Sequence, residues 1–451
     1  MVIELVSKDV LHAQQPESRG ERCFLSNNDC VIPKLYISYI NFYLNTNVKD
    51  FFNIEKLKNS LEKTLNRYGV LCGTMHLNHD GRMYVDLNNK GVIFEEARCS
   101  ESLYDLEKKE FDIECIPSEL TSTIGWNEMY IQPGEDMDHL YGLRFRLTHF
   151  TNNSGVSLGI SFHHSLCDLR GIVMFMNDWA SMSRSNTWDQ DFVCNDRSLL
   201  SLTCKGVINN PEYSSLPPRK PLNGISINTV ILRINKNSFK KLFDSFMGQL
   251  DFFTLNDLIV SVLWKCVCSA RKHVLAHDKL KLIIFVDGRK RVSPKIPLNY
   301  LGCVIFIARI PFVNVGLLCT SPLLSIAQSV RSAINGLNDS YIRRTMKWLD
   351  SRASLHNLVQ DIDNHFGPDF FVSNWDKFRM YDSDFGWGRP RKIRLTNGQF
   401  DGSSYVLPAP SGDPTEVEIF LSLDSVSMSK LLSDPFFQEY FYTNNCQPET
   451  S

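Results

Sequence analysis

Residues 155–180 read GVSLGISFHHSLCDLRGIVMFMNDWA, and the hydrophobic pattern changes within this stretch. Every second residue from Val156 to Phe162 is apolar, and the residues between them are small or polar, which predicts a strand with one apolar face. After Asp168 the apolar residues recur with helical spacing. The stretch therefore predicts a strand, a short turn and a helix, and the alternation places His164 on the turn in line with the apolar face.

The spacing His-x-x-x-Asp occurs three times in the chain, at residues 76–80, 164–168 and 365–369. The copy at 164–168 lies between a strand pattern and a helix pattern, where a rigid scaffold can present a functional side chain. A neutral imidazole, with its usual pKa of about 6.5, can accept a proton near neutral pH. His164 is therefore a candidate general base, and a core histidine next to a helix-capping Asp168 is the structural alternative.

A second short motif, DFGWG, comprises Asp384, Phe385, Gly386, Trp387 and Gly388. Two glycines that alternate with two aromatic residues indicate a tight loop, because glycine permits unusual backbone angles and close packing of rings against the chain. A purely structural turn explains these five residues as well as a functional loop does. The motif gains meaning in combination with the His-x-x-x-Asp turn that precedes it in the chain.

The length of 451 residues exceeds that of an ordinary single core and predicts two domains of roughly 200 residues each. Strand and helix patterns alternate along the chain, which predicts an α/β protein with mixed sheets. A polar stretch rich in Asn, Ser and Pro interrupts this alternation and suits a crossover connection. We therefore expect an N-terminal domain at 1–182, a crossover linker at 183–224 and a C-terminal domain at 225–451.

Three segments have clear local signals. Leucines at helical spacing predict a helix within 49–69, and an Asn-rich turn within 79–97 predicts two joined strands. Residues 254–271 carry an apolar stripe at helical spacing, with Thr254 at the position of an N-cap. A helix as apolar as this one belongs to the core of a domain.

The composition excludes several classes of function. A net charge of −2 gives no basis for binding nucleic acid or an anionic membrane surface. We expect no membrane span, because the most apolar stretch, at 304–319, is too short and contains Arg309 and Pro311. The 13 cysteines lie mostly within apolar patterns without the spacing of a zinc site. We therefore expect free thiols in a reducing, cytoplasmic compartment and no metal ion.

The two motifs together carry a resemblance that extends over nearly the whole chain. The chain resembles the BAHD family of acyl-CoA-dependent acyltransferases, whose members carry HxxxD near the middle and DFGWG towards the C-terminus. Three further segments are similar to segments of that family: FLSNND at 24–29, NDRSLL at 195–200 and VDGRKRVSPKIPLNYLG at 286–302. The resemblance implies a two-domain fold like that of chloramphenicol acetyltransferase, with a central channel that acyl-CoA and the acceptor enter from opposite faces.

The resemblance also implies roles for individual residues. His164 is the general base that takes a proton from the acceptor, and the indole N–H of Trp375 is the donor to the oxyanion that forms at the thioester carbonyl. Asp168 points away from the channel and pairs with Arg289. The residues expected to have structural roles at the site are Asp168, Arg289, Asp384, Gly386, Trp387 and Gly388.

Contacts with CoA are expected at Thr254, Asp287 and Arg289. The cationic runs at 289–291 and 389–394 suit either the phosphates of CoA or solvated surface charge. The chain departs from the family at Leu169, where glycine is usual, and at Cys303, where asparagine is frequent.

The implied reaction moves an acyl group, expected to be acetyl, from acetyl-CoA to a hydroxyl of a specialised metabolite. We expect a monomer without a permanently bound cofactor. Three alternatives stay open: N-acylation, a condensation-type enzyme that takes its acyl group from a carrier protein, and a non-catalytic relative that keeps the fold. The HHxxxD form, with His163, is similar to condensation domains, which lack DFGWG.

Overall fold

The computed structural model describes residues 1–17, 20–122, 139–202, 213–214, 226–246, 253–273, 279–356, 358–360, 369–396 and 400–443. The strands within these ranges are β1 (Ile3–Leu11), β2 (Arg22–Phe24), β3 (Tyr36–Leu44), β4 (Thr74–Leu77), β5 (Met83–Asp86), β6 (Val92–Cys99), β7 (Leu143–His149), β8 (Gly155–His163), β9 (Tyr213–Ser214), β10 (Ile227–Ile234), β11 (Lys279–Asp287), β12 (Ile305–Asn314), β13 (Val359–Gln360), β14 (Phe370–Asn374), β15 (Lys392–Leu395), β16 (Ser403–Pro408), β17 (Val417–Asp424) and β18 (Phe441–Thr443). The α-helices within these ranges are α1 (Asn27–Val31), α2 (Ile54–Thr64), α3 (Leu103–Lys108), α4 (Leu169–Ser185), α5 (Lys236–Phe246), α6 (Leu255–Ala270), α7 (Val315–Thr320), α8 (Leu323–Gly336), α9 (Asp339–Asp350), α10 (Ser425–Leu432) and α11 (Pro435–Tyr440). The mixture of helices and mixed sheets confirms the predicted α/β class.

The first large sheet has the strand order β1-β6-β7-β8-β3-β15. Its neighbours are antiparallel except β6 and β7, which run parallel. The predicted strand before the motif is β8, and both of its faces are buried, whereas the sequence predicted one apolar face. The small residues explain the difference: a Cβ atom at Gly159 would lie 2.2 Å from the carbonyl oxygen of Leu120, so the covering layer approaches the strand closely.

The second large sheet has the strand order β12-β11-β14-β16-β17-β10-β18. The third strand in this order, β14, runs parallel to both of its neighbours, β11 and β16, and the other pairs are antiparallel. The carboxyl end of β14 leads directly to Trp375. The second sheet therefore places the expected oxyanion donor at the end of a strand that is paired on both sides, where the backbone is fixed.

A small sheet of three strands, in the order β2-β5-β4, accompanies the two large ones. The sequence correctly predicts two strands within 79–97, which are β5 and β6. They do not pair with each other, because β5 joins the small sheet and β6 joins the first large sheet. The Asn-rich turn is therefore a connection between two sheets and not a hairpin.

Two predicted helices form at the expected places. The helix within 49–69 is α2, which ends at Thr64 and continues as short 3₁₀ turns. The apolar helix within 254–271 is α6, and Thr254 is its N-cap. Both the backbone N–H and the hydroxyl of Thr254 donate to a carboxylate oxygen of Asp257, at 2.7 and 2.9 Å. The carboxylate of Asp257 therefore satisfies the backbone N–H of the N-cap residue.

The division into two domains at 182 and 225 stays a prediction. Helix α4 continues past the predicted boundary to Ser185, and much of the predicted linker lies outside the described residues. Strand β15 comes from the C-terminal half but pairs with β3 of the first sheet. The two halves are thus linked by a shared strand. Within the described part of the chain, no helix is long and apolar enough to cross a membrane.

Candidate active site

The motif turn connects the end of β8 to the start of α4. The backbone N–H of His164 donates to the carbonyl oxygen of Leu35 at 2.9 Å, which holds the turn against the start of β3. Asp168 is the N-cap of α4, and its carboxylate accepts the N–H of Gly171 at 3.1 Å. The strand-to-helix frame predicted for this motif is therefore present. Leu169, the departure from the family pattern, occupies the first helical position without disturbing the cap.

The imidazole of His164 is partly exposed and has a defined orientation. Its Nδ1 atom lies 3.3 Å from the carbonyl oxygen of Cys167. A carbonyl oxygen can only accept, so Nδ1 carries the ring proton and Nε2 is left as an acceptor. Burial lowers the pKa of His164, although Cys167 and Asp168 oppose this effect. A neutral ring with Nε2 unprotonated near neutral pH has the form that a general base requires.

The neighbouring histidine has a different environment. His163 is buried at the end of β8, and its ring packs edge-on against Tyr36 with centroids 5.4 Å apart. Burial lowers the pKa of His163 to about 3, so this ring is neutral as well. His164 follows β8 on the turn, and its ring centroid lies 6.2 Å from that of Phe162. Of the pair, the partly exposed His164 is the one that a substrate could reach.

Asp168 and Arg289 form a buried, two-pronged ion pair. The two guanidinium Nη atoms lie 2.7 and 3.1 Å from the two carboxylate oxygens. Arg289 also donates to the carbonyl oxygens of Tyr300 and Gly302, at 3.1 and 3.0 Å. The guanidinium side chain is only 1% exposed. The predicted contact between the two residues is present, but the position of Arg289 argues against the expected contact with CoA.

The other two residues expected at CoA have partners of their own. Asp287 accepts hydrogen bonds from Arg170 at 3.1 Å and from the backbone N–H of Arg289 at 2.9 Å. Burial opposes ionisation of Asp287, but the charge of Arg289 and these hydrogen bonds keep its pKa low. The exposed Thr254 accepts a hydrogen bond from Arg331 at 3.0 Å. Asp287 and Thr254 therefore both lie beside arginines.

The motif turn contacts a second buried ion pair, which the sequence analysis did not predict. Oδ2 of Asp29 lies 3.2 Å from Nη1 of Arg197, and both side chains are buried. Asp29 also accepts the backbone N–H of Cys303 at 2.7 Å, and Arg197 donates to the carbonyl oxygen of Leu166 at 3.1 Å. The segments FLSNND and NDRSLL contain this aspartate and this arginine. Their opposite charges were the available signal, but nothing in the local pattern indicates that they meet.

Trp375 follows β14 and is 8% exposed. Its indole N–H donates to the hydroxyl oxygen of Ser373 at 2.8 Å, and its backbone N–H donates to Val406 at 2.7 Å. The ring packs against Tyr405 with centroids 5.1 Å apart. The hydroxyl of Ser373 accepts the indole proton and keeps its own hydrogen for another acceptor. Among the hydrogen bonds of the described residues, none joins Trp375 to His164.

The DFGWG loop is held by hydrogen bonds within itself. One carboxylate oxygen of Asp384 accepts the N–H groups of Gly386 and Gly388, at 2.8 and 3.0 Å. The two glycines have φ angles of 102° and 106°, which side chains with a Cβ rarely adopt. The interleaved glycines thus serve the backbone turn around one carboxylate, as the sequence indicated for a tight loop.

The aromatic residues of the loop pack against the N-terminal half. Phe385 is fully buried beside Trp179 of α4, with ring centroids 4.9 Å apart. Trp387 packs against Phe52 at 5.1 Å, and the ammonium of Lys56 lies 4.8 Å from its centroid. Among the hydrogen bonds and ring contacts of the described residues, none joins the loop to His164. The loop therefore anchors the segment that leads into β15.

The cationic run 389–394 contains two buried members. Lys392 and Arg394 lie on β15 and contact the carboxylate of Glu418, at 2.6 and 2.7 Å. Burial alone would raise the pKa of Glu418, but these two cations lower it to about 2. Arg391 pairs with Glu107 at 2.7 Å on the surface. Lys392 and Arg394 are thus neither solvated charge nor open to phosphates, which corrects both sequence-based interpretations for them.

The copy of His-x-x-x-Asp at 76–80 does not form a comparable site. His76 lies on β4, and its Nε2 contacts Asp86 at 2.8 Å while its ring stacks on Tyr84. Asp80 lies in the turn between β4 and β5 and pairs with Arg82 at 2.7 Å. His365 lies outside the described residues. Within the described ranges, no group of three His, Cys, Asp or Glu side chains could hold a metal ion.

Comparison with known proteins places these observations in a family. The profile of the Transferase family matches residues 1–437. Shikimate O-hydroxycinnamoyltransferase of Nicotiana tabacum is 27% identical over 443 residues, which cover 94% of this chain and 96% of that protein. Putrescine hydroxycinnamoyltransferase 1 of Oryza sativa subsp. japonica is 25% identical, with coverage of 97% and 99%.

A solved structure shows the same fold. The crystal structure of F. sporotrichioides TRI101, complexed with coenzyme A and T-2, matches with a TM-score of 0.77 and 15% identity. The match covers 93% of this chain and 99% of that chain. Because the family profile spans nearly the whole sequence and the fold agrees, this chain belongs to the Transferase family, the BAHD acyl-CoA-dependent acyltransferases.

Proposed function

We propose that this protein transfers an acyl group from CoA to a hydroxyl of a small specialised metabolite, with His164 as the general base. The observation that carries the proposal is the hydrogen bond between Nδ1 of His164 and the carbonyl oxygen of Cys167. This bond leaves Nε2 unprotonated on a ring that is partly exposed. A base in this state can deprotonate an acceptor without a covalent acyl-enzyme.

In the proposed reaction the acyl group passes directly from CoA to the acceptor. Nε2 of His164 takes the proton of the acceptor hydroxyl, and the acceptor oxygen attacks the thioester carbonyl. The tetrahedral intermediate then collapses, the carbon–sulfur bond breaks, and the imidazolium returns its proton to the CoA thiolate. The developing oxyanion needs a preorganised donor. We assign this role to Trp375 together with Ser373, since the indole N–H fixes the hydroxyl that keeps a free hydrogen.

The remaining residues of the site have positioning roles in this proposal. Asp168 and Arg289 fix the position of the motif turn through their buried ion pair. The DFGWG loop, through Asp384, Gly386, Trp387 and Gly388, holds the segment that leads into β15. Thr254 and Asp287 border the bound CoA. Asp287 acts there by orienting Arg170, because a carboxylate would repel a phosphate.

The donor is the point on which sequence and relatives differ. The sequence predicted acetyl-CoA, whereas the names of both relatives specify hydroxycinnamoyl transfer. We therefore propose a hydroxycinnamoyl thioester as the donor, with acetyl-CoA as the alternative. An amine acceptor is the second candidate, because one relative is named for putrescine. A monomeric, cytoplasmic enzyme is part of the proposal.

The test is thermal unfolding of the purified protein with acetyl-, malonyl-, benzoyl- and coumaroyl-CoA, each followed by a transfer assay. A ligand at 100 times its dissociation constant stabilises a protein by about 2.7 kcal/mol. We expect the largest shift in Tm with coumaroyl-CoA, and the same shift in a His164→Ala variant that no longer transfers. A shift with acetyl-CoA alone would restore the acetyl donor. No shift with any thioester would favour a carrier-protein donor or a non-catalytic relative.

A further inference from the structure

The thiol of Cys303 lies directly against the catalytic turn. Its Sγ atom is 2.9 Å from the carbonyl oxygen of His164 and 3.9 Å from Nδ1 of the same residue. The side chain is fully buried. Burial raises the pKa of the Cys303 thiol well above its usual value, so the sulfur keeps its proton. Cys303 is therefore a neutral S–H donor towards His164.

The backbone of Cys303 is fixed from the N-terminal half. Its N–H donates to Asp29 at 2.7 Å, and its carbonyl oxygen accepts a hydrogen bond from Asn28 at 2.9 Å. The next residue, Val304, donates its N–H to Asp168 at 3.2 Å. Two buried aspartates thus hold both ends of the short segment that carries the thiol. The direction of the Cys303 side chain follows from this backbone geometry.

His164 is consequently held at three points. Its N–H is bound to Leu35, its ring to the carbonyl oxygen of Cys167, and its own carbonyl oxygen to the thiol of Cys303. Removing the thiol would leave a carbonyl oxygen without this donor and a void beside Nδ1. Both changes would loosen the ring that presents Nε2, and small displacements of a reacting group are costly in rate.

We propose that Cys303 is a positioning residue that fixes the orientation of His164 through the S–H bond to the His164 carbonyl oxygen. This inference rests on the proposed role of His164 as the base. It predicts that the contribution of Cys303 appears in kcat and in the pH dependence, while KM for the thioester stays unchanged.

The experiment compares Cys303→Ala and Cys303→Ser with the wild type at several pH values. The alanine variant is expected to lose roughly tenfold to a hundredfold in kcat, because the base is misplaced. The serine variant keeps a donor at this position and is expected to recover most of that loss. The acid limb of the kcat profile should move in Cys303→Ala and return in Cys303→Ser.

Cys72→Ala is the matched control. Cys72 is also fully buried, and its thiol lies 3.7 and 3.6 Å from the carbonyl oxygens of Tyr68 and Gly69, but it has no described contact with His164. It should lose stability without a change in kcat or pH profile.

A wild-type kcat and pH profile in a folded Cys303→Ala variant would overturn the inference, as would a serine variant as slow as alanine. Transfer that persists in His164→Ala would instead overturn the proposed function. The two failures are therefore distinguishable.

Discussion

The His164 turn at 163–171 and the DFGWG loop at 384–388 are held in place by different forces. The turn is fixed by buried ion pairs and by hydrogen bonds of defined direction, above all between Asp168 and Arg289. The loop is fixed by two hydrogen bonds to one carboxylate and by aromatic packing. Paired charges set the positions of individual atoms, whereas ring packing mainly keeps two segments together.

The two regions should therefore respond differently to substitution. Changes in the turn should affect both stability and the reaction, because the base is attached to it. Changes in the loop should affect stability while the reaction per folded molecule survives.

The largest effect is expected at the base itself. His164→Ala should lower kcat by about 10²–10⁴-fold, which is the usual contribution of general acid–base catalysis. The ring is partly exposed, so its removal should cost little stability. Steady-state rates together with urea unfolding measure both quantities. Wild-type turnover in this variant would contradict the assignment of the base.

The next largest effect is a loss of stability at the buried ion pair that holds the motif turn. Asp168→Ala removes the buried carboxylate that binds both Nη atoms of Arg289 and leaves only the longer contact with Asp287, so it should lower the free energy of unfolding by about 3–5 kcal/mol. Denaturant unfolding measures this loss. Asp86→Asn is the control, because Asp86 pairs with Arg22 and His76 at the surface and should cost less than about 1 kcal/mol. Equal losses in the two variants would remove the distinction between buried and surface pairs.

The loop should lose stability without losing chemistry. Phe385→Ala removes a fully buried ring and should cost about 3 kcal/mol. The rate per folded molecule should stay near the wild-type value, since no hydrogen bond or ring contact among the described residues joins the loop to His164. Rates normalised to the folded fraction test this point. A fall in kcat comparable to that of Cys303→Ala would show that the loop also positions the base.

The smallest effect concerns the backbone of the loop. Gly386→Ala forces a residue with a Cβ to a φ angle of 102°, and the added atom would meet its nearest neighbour only at 3.7 Å. Backbone strain alone should therefore cost about 1–3 kcal/mol. Gly336→Ala, at the end of α8 with open space around it, should be neutral or slightly stabilising. Thermal unfolding of both variants distinguishes strain from crowding.

Local patterns predicted the elements around the site well. The alternation before His164 and the helical spacing after Asp168 gave β8, the turn and α4. The N-cap at Thr254 was also correct. The contact between Asp168 and Arg289 was expected only through the family resemblance, because nothing local indicates it. The strand and the helices were predictable because each depends on the period of side chains along the element, and the cap was predictable because few residue types bind the first N–H groups of a helix.

The remaining features depend on contacts between distant segments. Strand β15 carries Lys392 and Arg394 and has the composition of a solvated run, yet both residues are buried against Glu418. Asp29 and Arg197 are separated by 168 residues in the chain. Cys303 was expected only as a departure from the family pattern. The period of side chains along one element does not predict contacts between distant segments, so these pairings were found only in the structure.

The most direct test of the central claim is the pH dependence of kcat/KM with the preferred thioester, with chemistry rate-limiting. If neutral His164 is the base, the rate must fall as the pH drops through its pKa, because protonation removes the acceptor at Nε2. Burial lowers that pKa, so the inflection should lie below the usual histidine value of about 6.5. A single acid limb below that value is the predicted result. A rate that stays flat or rises towards acid, in protein shown to remain folded, would contradict the account.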